Sequence, residues 1–432
     1  MKEQMQVIDA ELCWTGTRFE RNVQVTIGPD GRITAVGELG LDPTRTLRGQ
    51  ALLPGMISAH SHAFQRGLRG RGETFPATEG SFWSWREAMY ELVTSLDPEA
   101  FYGWTLRAFR EMRRAGITTV GEFHYLHHSV GSRDYLLDDL VVQASREAGI
   151  RLVLLNTFYR RGGIGKALTA AQKRFVSGSM EEFWAHMDEL DGRLDHSTQS
   201  LGVAAHSIRA VSIEEIDELY GESMRRLLPF HMHVEEQRQE IEECMAAHGK
   251  SPMALLNERL EITGGFTAVH CTHTEVSDLR RFLNSGGHVC ITPLTEGNLG
   301  DGIQKHVNEA TRRICLGTDS NARIGMIEEM RWLEYVQRLA GEKRGIFRDF
   351  SGRVARMLFD IASYGGAKCL GLNTGKIAPG ASADLLTLDL GSPLLEGWTE
   401  ESLLDMVVFG GNDELILQTA VNGHWQEHRL PA

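Results

Sequence analysis

Short apolar runs alternate with longer stretches of helical spacing through the middle of this chain. Strand candidates stand at 56–62, 117–125, 151–159, 201–208, 230–235, 266–273, 288–294 and 314–320. Between them, 98–115 and 212–228 repeat apolar residues with helical periodicity, and the first opens on Asp97 as an N-cap with Pro98 at the first helical position. Eight strands separated by helices predict an α/β protein, a (β/α)8 TIM barrel whose chemistry sits at the C-terminal ends of its strands. The two chain ends have another texture. Residues 1–56 set runs such as Val23-Gln24-Val25-Thr26-Ile27 against turns such as Gly28-Pro29-Asp30-Gly31, and Ala383-Asp384-Leu385-Leu386 and Thr419-Ala420-Val421 repeat that texture. They predict one small antiparallel β unit, split between both ends, that encloses the central barrel.

The barrel reading places polar residues along one rim. His60 and His62 end strand one, on a shared face because strand side chains alternate. His124 and Tyr125 end strand two, and His206 with Arg209 strand four. His233 and Glu236 end strand five, His270 and His273 strand six, and Asp319 strand eight. Each has a plain alternative: Asp319 as a helix N-cap, Glu236 as a solvated first-turn residue, His270 as a core histidine. Together they form a set that can grip a metal such as zinc.

Composition narrows the setting. A net charge of −13 disfavours broad nucleic-acid binding. The short basic cluster Arg66-Gly-Leu-Arg69-Gly-Arg71-Gly72 reads as a mobile loop beside the histidine pair. No apolar run approaches the roughly 20 residues of a membrane span, and residues 1–4 lack an apolar signal core. Six scattered cysteines without Cys-x-x-Cys spacing suit free thiols in a reducing cytoplasm.

Several tokens resemble the metal-dependent amidohydrolases: Leu53-Pro54-Gly55-Met56 before His-x-His, His233-x-x-Glu236, His270-Cys271 and Gly317-Thr318-Asp319-Ser320. Gly375-Lys376-Ile377-Ala378-Pro379-Gly380 resembles that family's re-entry into its β-sandwich, which implies a sandwich of 1–56 and 375–432 and a barrel of 57–374. A closer resemblance is to the N-formimidoyl-L-glutamate deiminases of histidine degradation, in the cytosine-deaminase-like branch. It rests on His60-Ser-His-Ala-Phe-Gln-Arg66, Ser81-Phe-Trp-Ser-Trp-Arg86, Glu122-Phe-His-Tyr-Leu-His-His128, His206-Ser-Ile-Arg-Ala210, His231-Met-His-Val-Glu-Glu-Gln237, Thr295-Glu-Gly-Asn-Leu-Gly-Asp-Gly302 and Arg331-Trp-Leu-Glu-Tyr335. Asn321 departs from the pattern, which often has His there.

The resemblance implies one divalent ion, zinc foremost, held by His60, His62, His233 and Asp319. It implies Asp319, Glu236 and His270 as the acid–base and electrostatic groups, and Gln65, Arg86, Tyr125, His206 and Arg209 as the substrate pocket. No lysine stands at a strand end where a carbamate would bridge two metals. The implied reaction is hydrolytic deimination of N-formimidoyl-L-glutamate to N-formyl-L-glutamate and ammonia, by a cytoplasmic homodimer on a dianionic small molecule, without nucleic acid or membrane. Two alternatives stay open at this point: an aminohydrolase acting on another amidine or a nucleobase-like ring, and a metal-binding barrel without catalysis. His124, His127, His128, His231 and His273 read as structural or supporting. Trp83 and Trp85 read as the apolar underside of a loop, and 295–302 as a Gly-rich loop that closes the pocket without P-loop chemistry.

Overall fold

The computed structural model describes residues 5–71, 73, 82–305, 307 and 312–428. Residues 1–4, Gly72, Ser81 and the Trp83 side chain, all used above, lie outside them. Strands β1 (Gln6–Trp14), β2 (Phe19–Glu20), β3 (Val23–Ile27), β4 (Ile33–Gly37) and β5 (Arg45–Pro54) come from the first end of the chain. The barrel strands follow: β6 (Met56–Ser61), β7 (Ile117–His124), β8 (Arg151–Phe158), β9 (Gln199–Ala205), β10 (Phe230–Val234), β11 (Phe266–His270), β12 (His288–Ile291) and β13 (Ile314–Leu316). Strands β14 (Leu385–Asp389), β15 (Ile416–Val421) and β16 (His424–Glu427) return to the first unit.

Strands β6 to β13 pair in sequence order as one parallel sheet. Every residue of β7 and β8 is buried, as expected where helices cover one face and the barrel interior the other. The barrel closes where β13 meets β6. Ser61 bridges Asp319, His62 N donates to Asp319 O (2.8 Å), and Thr318 N donates to His60 O (3.0 Å). Closure therefore sets both strand-one histidines beside the strand-eight aspartate. Gly317 permits it, because a Cβ there would stand 2.7 Å from His60 O.

The remaining strands form a mixed sheet in the order β16-β15-β14-β5-β1-β3-β4, with β2 on β1. Ile33 N donates to Ala381 O, so the sheet curls back over its own small core, built on Ile8, Val25, Ile27, Leu52, Leu385 and their neighbours. A much larger core fills the barrel and its helical shell. All eight predicted strands are present, and the predicted ends overran by one to a few residues. The helix Pro98–Arg114 opens as predicted, with Asp97 accepting from Ala100 N at 2.8 Å.

Three local expectations are corrected. The basic cluster is not a free loop: Ala63–Leu68 is a 3-10 helix, and Glu111 pairs with both Arg66 and Arg69 at 2.8 Å. The Trp-rich stretch after strand one is the helix Phe82–Ser95. Residues 295–302 begin within the helix Pro293–Leu299, stopped by Gly300 at φ +70°.

One buried ion pair joins the two units. Arg151 Nε and Nη2 donate to Asp384 Oδ2 (2.6 Å) and Oδ1 (3.0 Å), and Thr374 Oγ1 and Asn422 N add two further donors. Burial alone would raise the Asp384 pKa, but Arg151 and these donors hold it below the usual range. Asp384→Asn should cost about 3–5 kcal/mol in urea unfolding at neutral pH, because Arg151 stays buried without its counter-charge. A depressed carboxylate stabilises above its unfolded pKa and loses that contribution as pH falls through the lower folded value. The gap between wild type and variant should therefore close only below about pH 4.

Candidate active site

The C-terminal ends of the barrel strands bring ligand-type side chains together in two groups that share His60: His60 with His62 and Asp319, and His60 with His233 and His270. His62 Nδ1 donates to Phe123 O (2.8 Å) and His233 Nδ1 to His206 O (2.9 Å). Each carbonyl fixes its ring with the hydrogen on Nδ1, so Nε2 offers a lone pair to the centre. His60 Nε2 lies 3.2 Å from His233 Nε2, and Asp319 Oδ1 lies 3.4 Å from both His60 Nε2 and His62 Nε2. Tetrahedral ligands on bonds near 2.0–2.1 Å stand about 3.3 Å apart, so these three spacings suit a small divalent ion. Burial pushes the His62 pKa down to about 3 and that of His233 well down, so protons are poor substitutes for a metal here. The donor set fits a divalent metal.

The backbone at these strand ends is unusual. Glu235, His270 and Asp319 have φ of +54°, +72° and +44°, a region non-glycine residues enter only when their surroundings impose it. Asp319 is not a helix cap, since the next helix is Met326–Gly341. Asn321 at φ +55° donates from Nδ2 to Ser61 Oγ (3.1 Å) and Asp319 O (3.0 Å), tying the residue between the two histidines to the aspartate.

Beside the ligands stand a carboxylate and an imidazole. Glu236 is buried, not solvated, with Oε1 3.8 Å from His270 Nε2 and Oε2 3.8 Å from Arg209 Nη2. Burial raises its pKa, against the pull of His270 and Arg209. His270 is opposed by burial but lifted to about 10 by Glu236, Glu296 and Asp319. A bound dication would draw it back down.

Gln65, Arg86, Tyr125, His206 and Arg209 line one cavity with His62, His233, Glu236, His270 and Asp319. Gln65 Nε2 donates to Tyr125 Oη (2.8 Å), and Arg86 Nε donates to Tyr90 Oη (2.8 Å). Arg209 is buried near Glu236 and, at 4.0 Å, Glu240, yet its Nε has no hydrogen-bond partner among the described residues. A guanidinium held by charge but short of acceptors is ready for a ligand carboxylate.

The sequence matches the Amidohydrolase family over residues 51–425. The chain belongs to the amidohydrolase family. A formimidoylglutamate deiminase of Pseudomonas aeruginosa is 36 % identical over 98 % of this chain and 94 % of its own length. An amidohydrolase from Brucella melitensis superposes with a TM-score of 0.85 at 32 % identity, covering 98 % and 96 % of the two chains. A zinc-bound adenosine deaminase from Xanthomonas campestris shares the fold, with a TM-score of 0.81, 21 % identity and 98 % and 92 % coverage.

Other positions of this amidohydrolase differ from the sequence reading or add to it. Trp85 lines the cavity instead of lying only beneath a loop, and Leu299, from the helix Pro293–Leu299, lines it too. His124, His127 and His186 converge on buried Asp138 at 2.9, 3.0 and 2.8 Å. That hub anchors the segment carrying the Phe123 carbonyl and Tyr125. His231 Nε2 donates to Cys369 O (3.1 Å), two residues before His233 on the same strand face, and His273 is not among the residues lining the cavity. Tyr159, Glu240 and Glu296 were missed. Glu240 lies four residues after Glu236 and was open to a helical-spacing argument, whereas Glu296 was concealed by the loop reading.

Among the described residues no helix is long and apolar enough to cross a membrane.

Proposed function

We propose that this amidohydrolase hydrolyses N-formimidoyl-L-glutamate to N-formyl-L-glutamate and ammonia in histidine degradation, with one zinc ion. The observation that carries the reading is the cavity itself, where the histidine–aspartate cluster shares a wall with Arg86 and an acceptor-poor Arg209. The near full-length likeness to a formimidoylglutamate deiminase supports the same substrate. His60, His62, His233 and Asp319 would hold the zinc, which when bound supplies a water acidified to a pKa of about 7.

The chain's own groups do the rest. Arg209 and Arg86 receive the two carboxylates, and Gln65, Tyr125 and His206 give neutral donors around the backbone of the substrate. Asp319 takes the proton of the attacking water as oxygen joins the amidine carbon. The bond to the terminal nitrogen breaks only when that nitrogen is protonated, and Glu236 delivers the proton. His270 stabilises the tetrahedral adduct through its edge toward the reacting atoms.

We place the enzyme in the cytoplasm, without nucleic-acid or membrane partners; six buried free cysteines and the acidic balance support that setting. A homodimer is supported by Trp332, Tyr335 and Leu339, exposed along one face of the helix Met326–Gly341. Zinc-loaded protein should carry one metal per chain by mass spectrometry of the metal. It should turn over the dianionic amidine far faster than nucleobase-like amidines. Preference for an uncharged ring would move the assignment to the aminohydrolase alternative.

A further inference from the structure

His270 stands on left-handed backbone, φ +72°, followed by Cys271 at +54°. Such a conformation persists only where neighbours fix it. Two residues outside the acid–base set do so. Gln304 Nε2 donates to His270 O (2.7 Å) and to Glu296 Oε1 (2.8 Å). The same Glu296 oxygen accepts from Thr292 N (3.2 Å) and lies 3.3 Å from His270 Nδ1. Ring and main chain of His270 are thus tied into one closed loop through Glu296 and Gln304, both buried.

That loop also sets which ring nitrogen carries hydrogen. Glu296 Oε1 already receives two obligate N–H donors, so toward His270 it acts as an acceptor, and Nδ1 must be the donor. Thr292 Oγ1, 3.4 Å from Nδ1, donates to Asp319 Oδ2 at 3.3 Å and so turns a lone pair to the same nitrogen. The opposite nitrogen, Nε2, faces Glu236 Oε1 and Asp319 Oδ2 at 3.8 and 3.9 Å, where the reacting atoms would sit.

We propose that Glu296 is a positioning residue: its carboxylate holds the Nδ1–H edge of His270 and so aims Nε2 at the attacking water and the adduct. Its effect on rate rests on the deiminase reading; its effect on the tautomer does not. Partners of this kind behind an active-site imidazole are worth about 10–100-fold in activity.

The test uses the full-length zinc-loaded protein with 15N-labelled histidine, and His270→Asn assigns the signal. In wild type Nδ1 should appear as a protonated nitrogen, and in Glu296→Leu as an unprotonated one. An unprotonated Nδ1 in wild type, or a protonated one in Glu296→Leu, overturns the proposal. Should Glu296→Leu fail to fold, Glu296→Gln decides, because its amide oxygen can take the same two N–H donors while the charge is lost. It should keep Nδ1 protonated and bind zinc normally, whereas a folded Glu296→Leu should also lose about 10–100-fold in kcat with KM within about twofold. An unprotonated Nδ1 in Glu296→Gln, or wild-type kcat in a folded Glu296→Leu, overturns the proposal. Absence of turnover in wild type would instead reject the deiminase reading, and the nitrogen signal of wild type would still decide the role of Glu296.

Discussion

Glu236→Gln is expected to keep its zinc, to bind substrate with little change in KM, and to lose about 10²–10⁴ in kcat. The substitution preserves shape and the ability to face Arg209, but an amide cannot pick up and release a proton. The reaction depends on that transfer because the terminal nitrogen of an amidine leaves as ammonia only after protonation. Burial raises the Glu236 pKa, so this carboxyl holds its proton to higher pH than an exposed glutamate would. Its position 3.8 Å from His270 Nε2 leaves it within reach of the same reacting atoms. Metal analysis with steady-state kinetics checks the expectation: unimpaired turnover in a zinc-bound variant would remove Glu236 from the proton path.

Arg209→Met should act on the other half of the reaction. Methionine fills much of the same space without the guanidinium, so the loss isolates recognition of a substrate carboxylate. A buried charge-assisted pair broken on one side costs about 2–5 kcal/mol, or roughly 30-fold or more in kcat/KM, and KM should carry most of it. The protein itself also pays a cost. Glu240 is fully buried, has neither oxygen hydrogen-bonded among the described residues, and has its pKa pushed up to about 7 by burial despite Arg209. Removing the one cation paired with it among the described residues destabilises the fold further, so the double variant Arg209→Met/Glu240→Gln is the control. It should regain thermal stability without regaining affinity. An unchanged KM in the stable double variant would reject Arg209 as the carboxylate anchor.

The barrel was legible because its strands are buried on both faces and read as apolar runs, each ending in a polar residue. Their ends were not. Glu235, His270 and Asp319 leave the ladder through positive φ, which apolar periodicity does not register. The helix Phe82–Ser95 was hidden by its Trp-Ser-Trp start, and Pro293–Leu299 by the glycines of its last turns, although Pro293 at its first turn was a valid start signal. The rim of polar residues followed from residue types at strand ends, since barrel topology puts those ends together whatever the loops do; the choice of ligands within that rim came from the family resemblance. Glu296 was out of reach because its meeting with His270 depends on how the helix after β12 packs, not on any local spacing. Glu111 shows the same limit: nothing in the run Arg66–Arg71 reveals that one distant carboxylate binds two of its arginines.

The most direct test of the central claim is product analysis after mixing zinc-loaded protein with N-formimidoyl-L-glutamate, by mass spectrometry alongside an ammonia assay. N-formyl-L-glutamate and ammonia should appear in equal amounts. Formamide with free glutamate would contradict it, because the glutamate nitrogen would then be the leaving group in place of the terminal nitrogen served by Glu236.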